Sequence, residues 1–499
     1  MCLHTCFTHV PYYYPMTKPK GGLVPISREI VVVIVLTLAA AACTEERIVF
    51  RDRAPFNPPA DAASGFLGYY DVATKQTTCG NCHIGVQLQW ETTAHADAWR
   101  TLQASGNAQT FCEGCHSVSQ NGNAINVAAG YNAVPDSTYH DVQCESCHGP
   151  GLTHVQEPGS SQPVPTLAVS STAENGTCAA CHSGAHQPFT EEWEQSPHAQ
   201  PVAYVVSRGT GAVDCIPCHT AQGVLAAWGV ETRFVEQDDP ITEHLGIVCA
   251  VCHDPHGSSN TAQLRFPIDV PSEENHLCMK CHHKRAEPEV ESSTLRGPHS
   301  PEGPLLLGEG AGWFPPGFEV DSAIGRIAGT HGSEANPRLC ATCHVARVTI
   351  NDAAGAFQFQ ATGHLFLAIP CVDSLGIPNA NDCALGQRTF QACTTSGCHG
   401  SQTAARSALI TARARTEALV AEIDTLLTLV PPDENKRNDG RFTVADGAWF
   451  NARLGELPGS PIHNPFLIEY LLLASIDVLK SEYSLSPPVT GVSLERMIR

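Results

Sequence analysis

Periodic apolar patterning is confined to the two ends of this chain. Near the N-terminus, Ile30 to Ala42 form a thirteen-residue apolar stretch. Near the C-terminus, residues 402–430 are rich in good helix formers, with Leu409, Leu419, Ile423 and Leu427 close to helical spacing and Pro431 as the stop. A second apolar helix is predicted from Pro465 to about Tyr483. These two predict an antiparallel C-terminal hairpin of ordinary core residues, His463 excepted. Elsewhere the 36 Pro and 41 Gly break up periodic runs, so a core built from protein alone would be poor. A chain of 499 residues suggests about three domains.

A short local pattern fills the space between. Eight segments read C-x-x-C-H: Cys79, Cys82 and His83; Cys112, Cys115 and His116; Cys144, Cys147 and His148; Cys178, Cys181 and His182; Cys215, Cys218 and His219; Cys249, Cys252 and His253; Cys278, Cys281 and His282; Cys340, Cys343 and His344. A ninth is stretched, with Cys393, Cys398 and His399. Two thiols at this spacing add across the vinyl groups of one haem, and the adjacent His becomes the proximal ligand of its iron. Structural zinc or plain disulfides also use C-x-x-C, but zinc would want the pairs gathered into four-ligand sets. Here a His follows every second Cys directly. The expected cofactors are therefore nine covalently bound haem c groups. The expected fold is mainly α with extensive irregular loops, organised around a stack of macrocycles that supply the missing apolar volume, with folding dependent on haem insertion.

The motifs repeat in threes. Residues 79–154 hold motifs 1 to 3 at steps of 33 and 32, with His95, His140 and His154 between or after them; residues 178–256 repeat the order at steps of 37 and 34, with His198, His244 and His256. A looser third copy runs from 278 to 399, widened by the Gly/Pro-rich stretch 301–318, whose GEGAG lacks the preceding strand of a dinucleotide site and is read as loop. The organisation predicted is 1–42 signal peptide, 43–78 leader, 79–160, 175–260 and 275–400 three-haem units, and 401–499 a helical region. Residues 155–177 and 257–275 are read as linkers.

Each iron needs a sixth ligand or an open position. Methionine is excluded by counting, since Met1 and Met16 lie in the signal, Met279 inside a motif and Met497 near the end. Of 24 His, nine are proximal, and His4 and His9 fall in the signal, which leaves 13 for nine positions. All nine irons can then be bis-His, and without thioether ligands low potentials follow. His95, His198, His140, His244, His154 and His256 recur in register and are the first choices. His299, His331, His364 and His463 compete for the remaining three positions. His186, His276 and His283 sit so close to motifs that a surface or propionate role is equally compatible.

Residues 1–42 have the form of an export signal, with Lys18, Lys20 and Arg28 before an apolar stretch too short to span a bilayer. LAAAAC ends at Cys43, the pattern of a bacterial lipoprotein, and predicts a membrane anchor there, with simple secretion as the alternative. Loss of that segment removes three bases and one acid, taking the formal charge from −21 to −23. Such acidity argues against nucleic acid or anionic lipid as partner; it suits basic redox proteins, or simply solubility. Of 23 Cys, 18 are in motifs, Cys2 and Cys6 in the signal and Cys43 at the anchor; Cys371 and Cys383 remain, as a disulfide or as two free thiols.

The stretch from CGNCH through His95 to VQCESCHGPG resembles the cytochrome c554 family of multihaem proteins, over about 75 residues. The wider group includes pentahaem nitrite reductases, octahaem tetrathionate reductases and hydroxylamine oxidoreductases. TGHLF around His364 and PIHNP around His463 are similar to segments that supply distal ligands in those relatives. No C-x-x-C-K marks a nitrite-reductase site, and no Arg, Tyr and His catalytic set can be placed. The nine expected haems predict a conduit relaying electrons among redox partner proteins, and the export signal places it in the cell envelope, in the periplasm or at the outer face. The alternative is an oxidoreductase acting on a small nitrogen or sulfur oxyanion at one open iron, and no catalytic residue is assigned. Filament formation would require a His of one subunit to ligate the next, which the His surplus allows without indicating it.

Overall fold

The computed structural model describes residues 64–485 apart from 160, 170–177, 185–186, most of 201–212, 231–232, 237–243, 319–326, 328 and 396. The signal, Cys43 and His186 lie outside the described residues. The fold is mainly α, but from 64 to 400 most helices are single turns separated by irregular chain. The described sheets are three two-stranded hairpins: Tyr69–Asp71 with Gln76–Thr77, Val348–Asn351 with Phe357–Ala361, and Cys371–Val372 with Pro378–Asn379. Cys371 and Cys383 form a disulfide that closes the loop carrying the last hairpin.

The largest all-protein core is C-terminal. Helices Gln402–Leu427 and Pro465–Glu482 form as their periodicity predicts, the second opened by Pro465 and by Asn464, whose side chain accepts from the Leu467 N–H at 3.0 Å. They do not make a simple hairpin. A third helix, Val444–Glu456, packs against both, and Leu419, Ile423, Leu454, Leu467 and Leu471 are buried among the three. Its pattern is hidden because Gly447, Asn451 and Gly455 occupy inward positions. A Cβ at Gly447 would stand 2.1 Å from Trp313, so only glycine lets the indole lie there. Asn451 holds the same loop by accepting from Trp313 N–H and donating to Trp313 C=O, both at 2.7 Å. No helix among the described residues is long and apolar enough to cross a membrane.

Two stretches read as open chain are packed. Within 301–318, Glu302–Leu307 is a helix with Leu305, Leu306 and Leu307 buried, and Gly308 at φ 78° ends it as a left-handed cap. In 257–275, Leu264 and Ile268 are buried against Leu277 and Ala341. The described part of the leader also docks: Phe66 and Leu67 are buried, and the N–H groups of Leu67 and Gly68 donate to the buried Glu145 carboxylate inside motif 3, at 2.7–3.0 Å.

Candidate haem sites

Each C-x-x-C-H segment is one turn of helix, which is why the spacing works. The His N–H closes the turn onto the first Cys carbonyl, at 3.0 Å in motif 1, 2.8 Å in motif 4 and 2.9 Å in motif 6, whereas in motif 2 it goes to Glu113 C=O at 3.1 Å. Residues i, i+3 and i+4 then share a face. Motif 9 reaches the same end differently: Gly397 turns the chain at φ 77° and His399 N–H returns to Cys393 C=O at 3.3 Å.

Eight of the nine proximal rings face a second imidazole at 6.0–6.4 Å between ring centres. The pairs are His83 with His154, His182 with His95, His148 with His256, and His282 with His198. The others are His219 with His299, His253 with His364, His399 with His331, and His344 with His463. Two imidazoles sharing one metal ion, at roughly 2 Å per metal–nitrogen bond, have ring centres about 6 Å apart. The spacing therefore fits an iron between each pair. Motifs 2 and 4 to 9, with Cys147 of motif 3, also line one continuous cavity of about 3940 Å³, several times an ordinary ligand pocket of roughly 300–1,000 Å³.

Ring orientation supports the same fit. The Nδ1 of His148, His253, His344 and His116 lies 2.7–2.9 Å from a backbone carbonyl, of Pro163, Ala262, Phe366 and Ala98 respectively. A carbonyl only accepts, so Nδ1 carries the proton and Nε2 presents its lone pair. Burial, with a neighbouring imidazole adding to it, pushes His95, His198, His364 and His463 down to about 4, which keeps them neutral as ligation requires. Gly459 makes room for one of these, since a Cβ there would stand 2.6 Å from the His463 ring.

Two predicted distal residues are placed elsewhere. His140 stacks on Trp99 at 3.8 Å between ring centres, and His244 has a buried Nδ1 without a partner and faces no proximal ring. Their recurrence in register reflects a backbone task. Just after each, Val142 N–H donates to His95 C=O and Ile247 N–H to His198 C=O, while Trp90 and Trp193 indoles donate to Val142 and Ile247 carbonyls at 2.9 and 2.8 Å. This segment holds the loop that presents the true facing residue. His299, His331, His364 and His463 all face proximal rings, so no competition among them arises. His116 has no facing imidazole among the described residues. His283 Nδ1 is turned to Met279 C=O at 2.7 Å, and His276 is fully buried beside Cys278 and Cys340.

Facing residues come from distant motifs. His95, between motifs 1 and 2, faces the His of motif 4, and His198, between motifs 4 and 5, faces that of motif 7. The thiols give the neighbours. Cys79 lies beside Cys144, Cys147 near Cys178, and Cys115 beside Cys181. Three motifs on the pattern returns: Cys178 beside Cys249, Cys252 near Cys278, and Cys218 beside Cys281. Cys278 then meets Cys340, and Cys343 lies near Cys393 and Cys398. The attachment sites thus run 1, 3, 4, 6, 7, 8, 9, with site 2 branching at 4 and site 5 at 7. Sequence reasoning missed the carboxylates around these sites, Glu145, Glu192 and Glu302, because nothing in their local pattern marks them.

One-turn Cys/Cys/His sites, most of them opening on a common cavity, with imidazoles opposed to eight of the nine proximal rings, define a multihaem c-type cytochrome carrying covalently bound haem c. Residues 78–149 match the family described as cytochrome c554 and c-prime, and residues 240–287 match the doubled CXXCH motif. Over 196 residues the chain is 26% identical to multiheme cytochrome MtrA of Shewanella baltica (strain OS185), covering 36% of this chain and 54% of that protein. The chain thus spans about half the length of that curated relative. The fold is similar to that of the outer cell wall cytochrome OcwA, with a TM-score of 0.51 at 17% identity over 80% of this chain and 98% of the other. An undecaheme cytochrome from the S-layer of Carboxydothermus ferrireducens superposes with a TM-score of 0.48 at 18% identity, over 92% of this chain and 73% of that one.

Proposed function

We propose that the chain is a nonahaem cytochrome that transfers electrons through the cell envelope along bis-His sites, held at the membrane by a lipid on Cys43 and exchanging electrons with other redox proteins. The eight facing imidazole pairs carry this reading. When bound, haem supplies one-electron iron centres of low potential. The chain's residues supply what a conduit needs: neutral imidazoles fixed by Nδ1 hydrogen bonds, and attachment sites adjoining one another from motif 1 to motif 9. The cell-envelope location agrees with the similar fold of the outer cell wall cytochrome OcwA. Intact mass of the exported protein is expected to show nine haem adducts, and paramagnetic resonance at least eight low-spin irons. Fewer than eight low-spin irons with full haem loading would refute the bis-His conduit.

A second reading rests on His116, the proximal residue of motif 2, which faces no imidazole among the described residues. An open position there, on a side branch at motif 4, would let one iron reduce or oxidise a small nitrogen or sulfur oxyanion. One high-spin signal that shifts on adding nitrite or hydroxylamine would favour it. Nine low-spin irons would rule it out.

A further inference from the structure

Two of the opposed imidazoles lead to carboxylates, and they belong to adjacent sites at the centre of the row. Glu192, on the helix Phe189–Gln195, is buried, and its carboxylate accepts from Thr362 N–H at 2.8 Å, Thr362 Oγ1 at 2.6 Å and His364 N–H at 2.7 Å. Thr362 Oγ1 in turn lies 3.1 Å from His364 Nδ1. A hydroxyl has one proton, and here it goes to the carboxylate, so Oγ1 is free to accept from Nδ1–H, which the Thr362 backbone carbonyl also meets. His364 then offers Nε2 toward His253 of motif 6. At motif 7, His282 Nδ1 lies 3.2 Å from Glu302 Oε2 directly.

Elsewhere Nδ1 meets neutral groups. His116, His148, His154, His253, His331 and His344 all face backbone carbonyls. His256 has Asp254 at 3.8 Å, beyond hydrogen-bonding distance, and that carboxylate is engaged by Arg265 at 2.9 Å. By contrast no Lys or Arg among the described residues forms an ion pair with Glu192 or Glu302.

An ionised carboxylate on Nδ1–H makes the imidazole a stronger donor through Nε2, and its charge favours the ferric over the ferrous ion. We propose that Glu192, acting through Thr362, and Glu302 are potential-setting residues that make sites 6 and 7 the lowest-potential pair in the row. This deepens the electron-transfer reading and rests on it. The central pair is then the step against which electrons must move, and the flanking sites fill before it. The change concerns a one-electron Fe(III)/Fe(II) couple and moves no proton.

The test is spectroelectrochemical titration of the full-length haem-loaded protein with two variants. T362V removes the hydroxyl link while Glu192 keeps both backbone N–H bonds and Arg347, which acts on His364 through space, stays in place. E302Q keeps an acceptor oxygen and removes the charge. Each is expected to move one ninth of the haem absorbance from the most negative end of the curve to a more positive potential, and the double variant two ninths, with the low-spin count unchanged. Curves that superimpose on wild type, or shift negative, overturn the proposal. So does a new high-spin signal in T362V, which would make Thr362 a support for His364 and not a tuner. Missing haem adducts in wild type would instead sink the parent reading, and intact mass detects that separately.

Discussion

Acid should unfold this protein steeply, and the magnitude follows from four rings. His95, His198, His364 and His463 are pushed down to about 4 by burial, against roughly 6.5 in an unfolded chain. Because the folded value is the lower one, the unfolded chain takes up protons first. Their contribution is fully present above about pH 6.5 and is lost as pH falls toward 4. At pH 4.5 a ring released on unfolding is almost wholly protonated, whereas in the folded chain burial, and iron on Nε2 when haem is bound, keep it mostly neutral, which costs about 2.5 kcal/mol per ring. Four rings together amount to about 10 kcal/mol, comparable with the whole 5–15 kcal/mol of a typical fold. Near pH 5 the slope should be about 4–5 kcal/mol per pH unit, equivalent to three to four protons. The assay is guanidinium unfolding of the haem-loaded protein at half-unit steps from pH 7 to 4.5, followed by far-UV circular dichroism and the low-spin Soret band. A slope below one proton over that range would refute the reasoning.

Asn464 caps the last helix and donates to Ile327 C=O at 2.6 Å while fully buried. N464A should therefore destabilise the C-terminal bundle by about 2–4 kcal/mol and, by loosening the adjacent His463, raise a high-spin signal; denaturant midpoint and paramagnetic resonance check both. Cys371 and Cys383 close a loop of sequence separation 12, so C371A/C383A should lower stability by about 3 kcal/mol while intact mass shows the haem count unchanged.

The nine Cys/Cys/His segments were legible because their pattern is local: two thiols and an imidazole on one turn of helix need no tertiary contact to be recognised. The long helix Gln402–Leu427 and the last, Pro465–Glu482, were legible from apolar spacing and from Pro465. The helix Val444–Glu456 was not, because packing against Trp313 demands Gly447 and Asn451 where a periodic pattern would show apolar residues. His140 and His244 show the opposite failure. They recur in register, yet the recurrence belongs to the following backbone, which pins His95 and His198.

What the sequence by itself determined is the local inventory: nine Cys/Cys/His segments at haem-attachment spacing and, by count, histidine as the available second ligand. Only the tertiary structure decided which cap meets which site. His95 faces motif 4, His198 motif 7 and His463 motif 8, across separations no local pattern encodes. The physical reason is that one haem binds two chain segments at once, so proximal and distal partners need only meet in space. The carboxylates behind His364 and His282 belong to the same class, since a hydrogen bond spanning 170 residues, as between Glu192 and Thr362, exists only once the chain has folded.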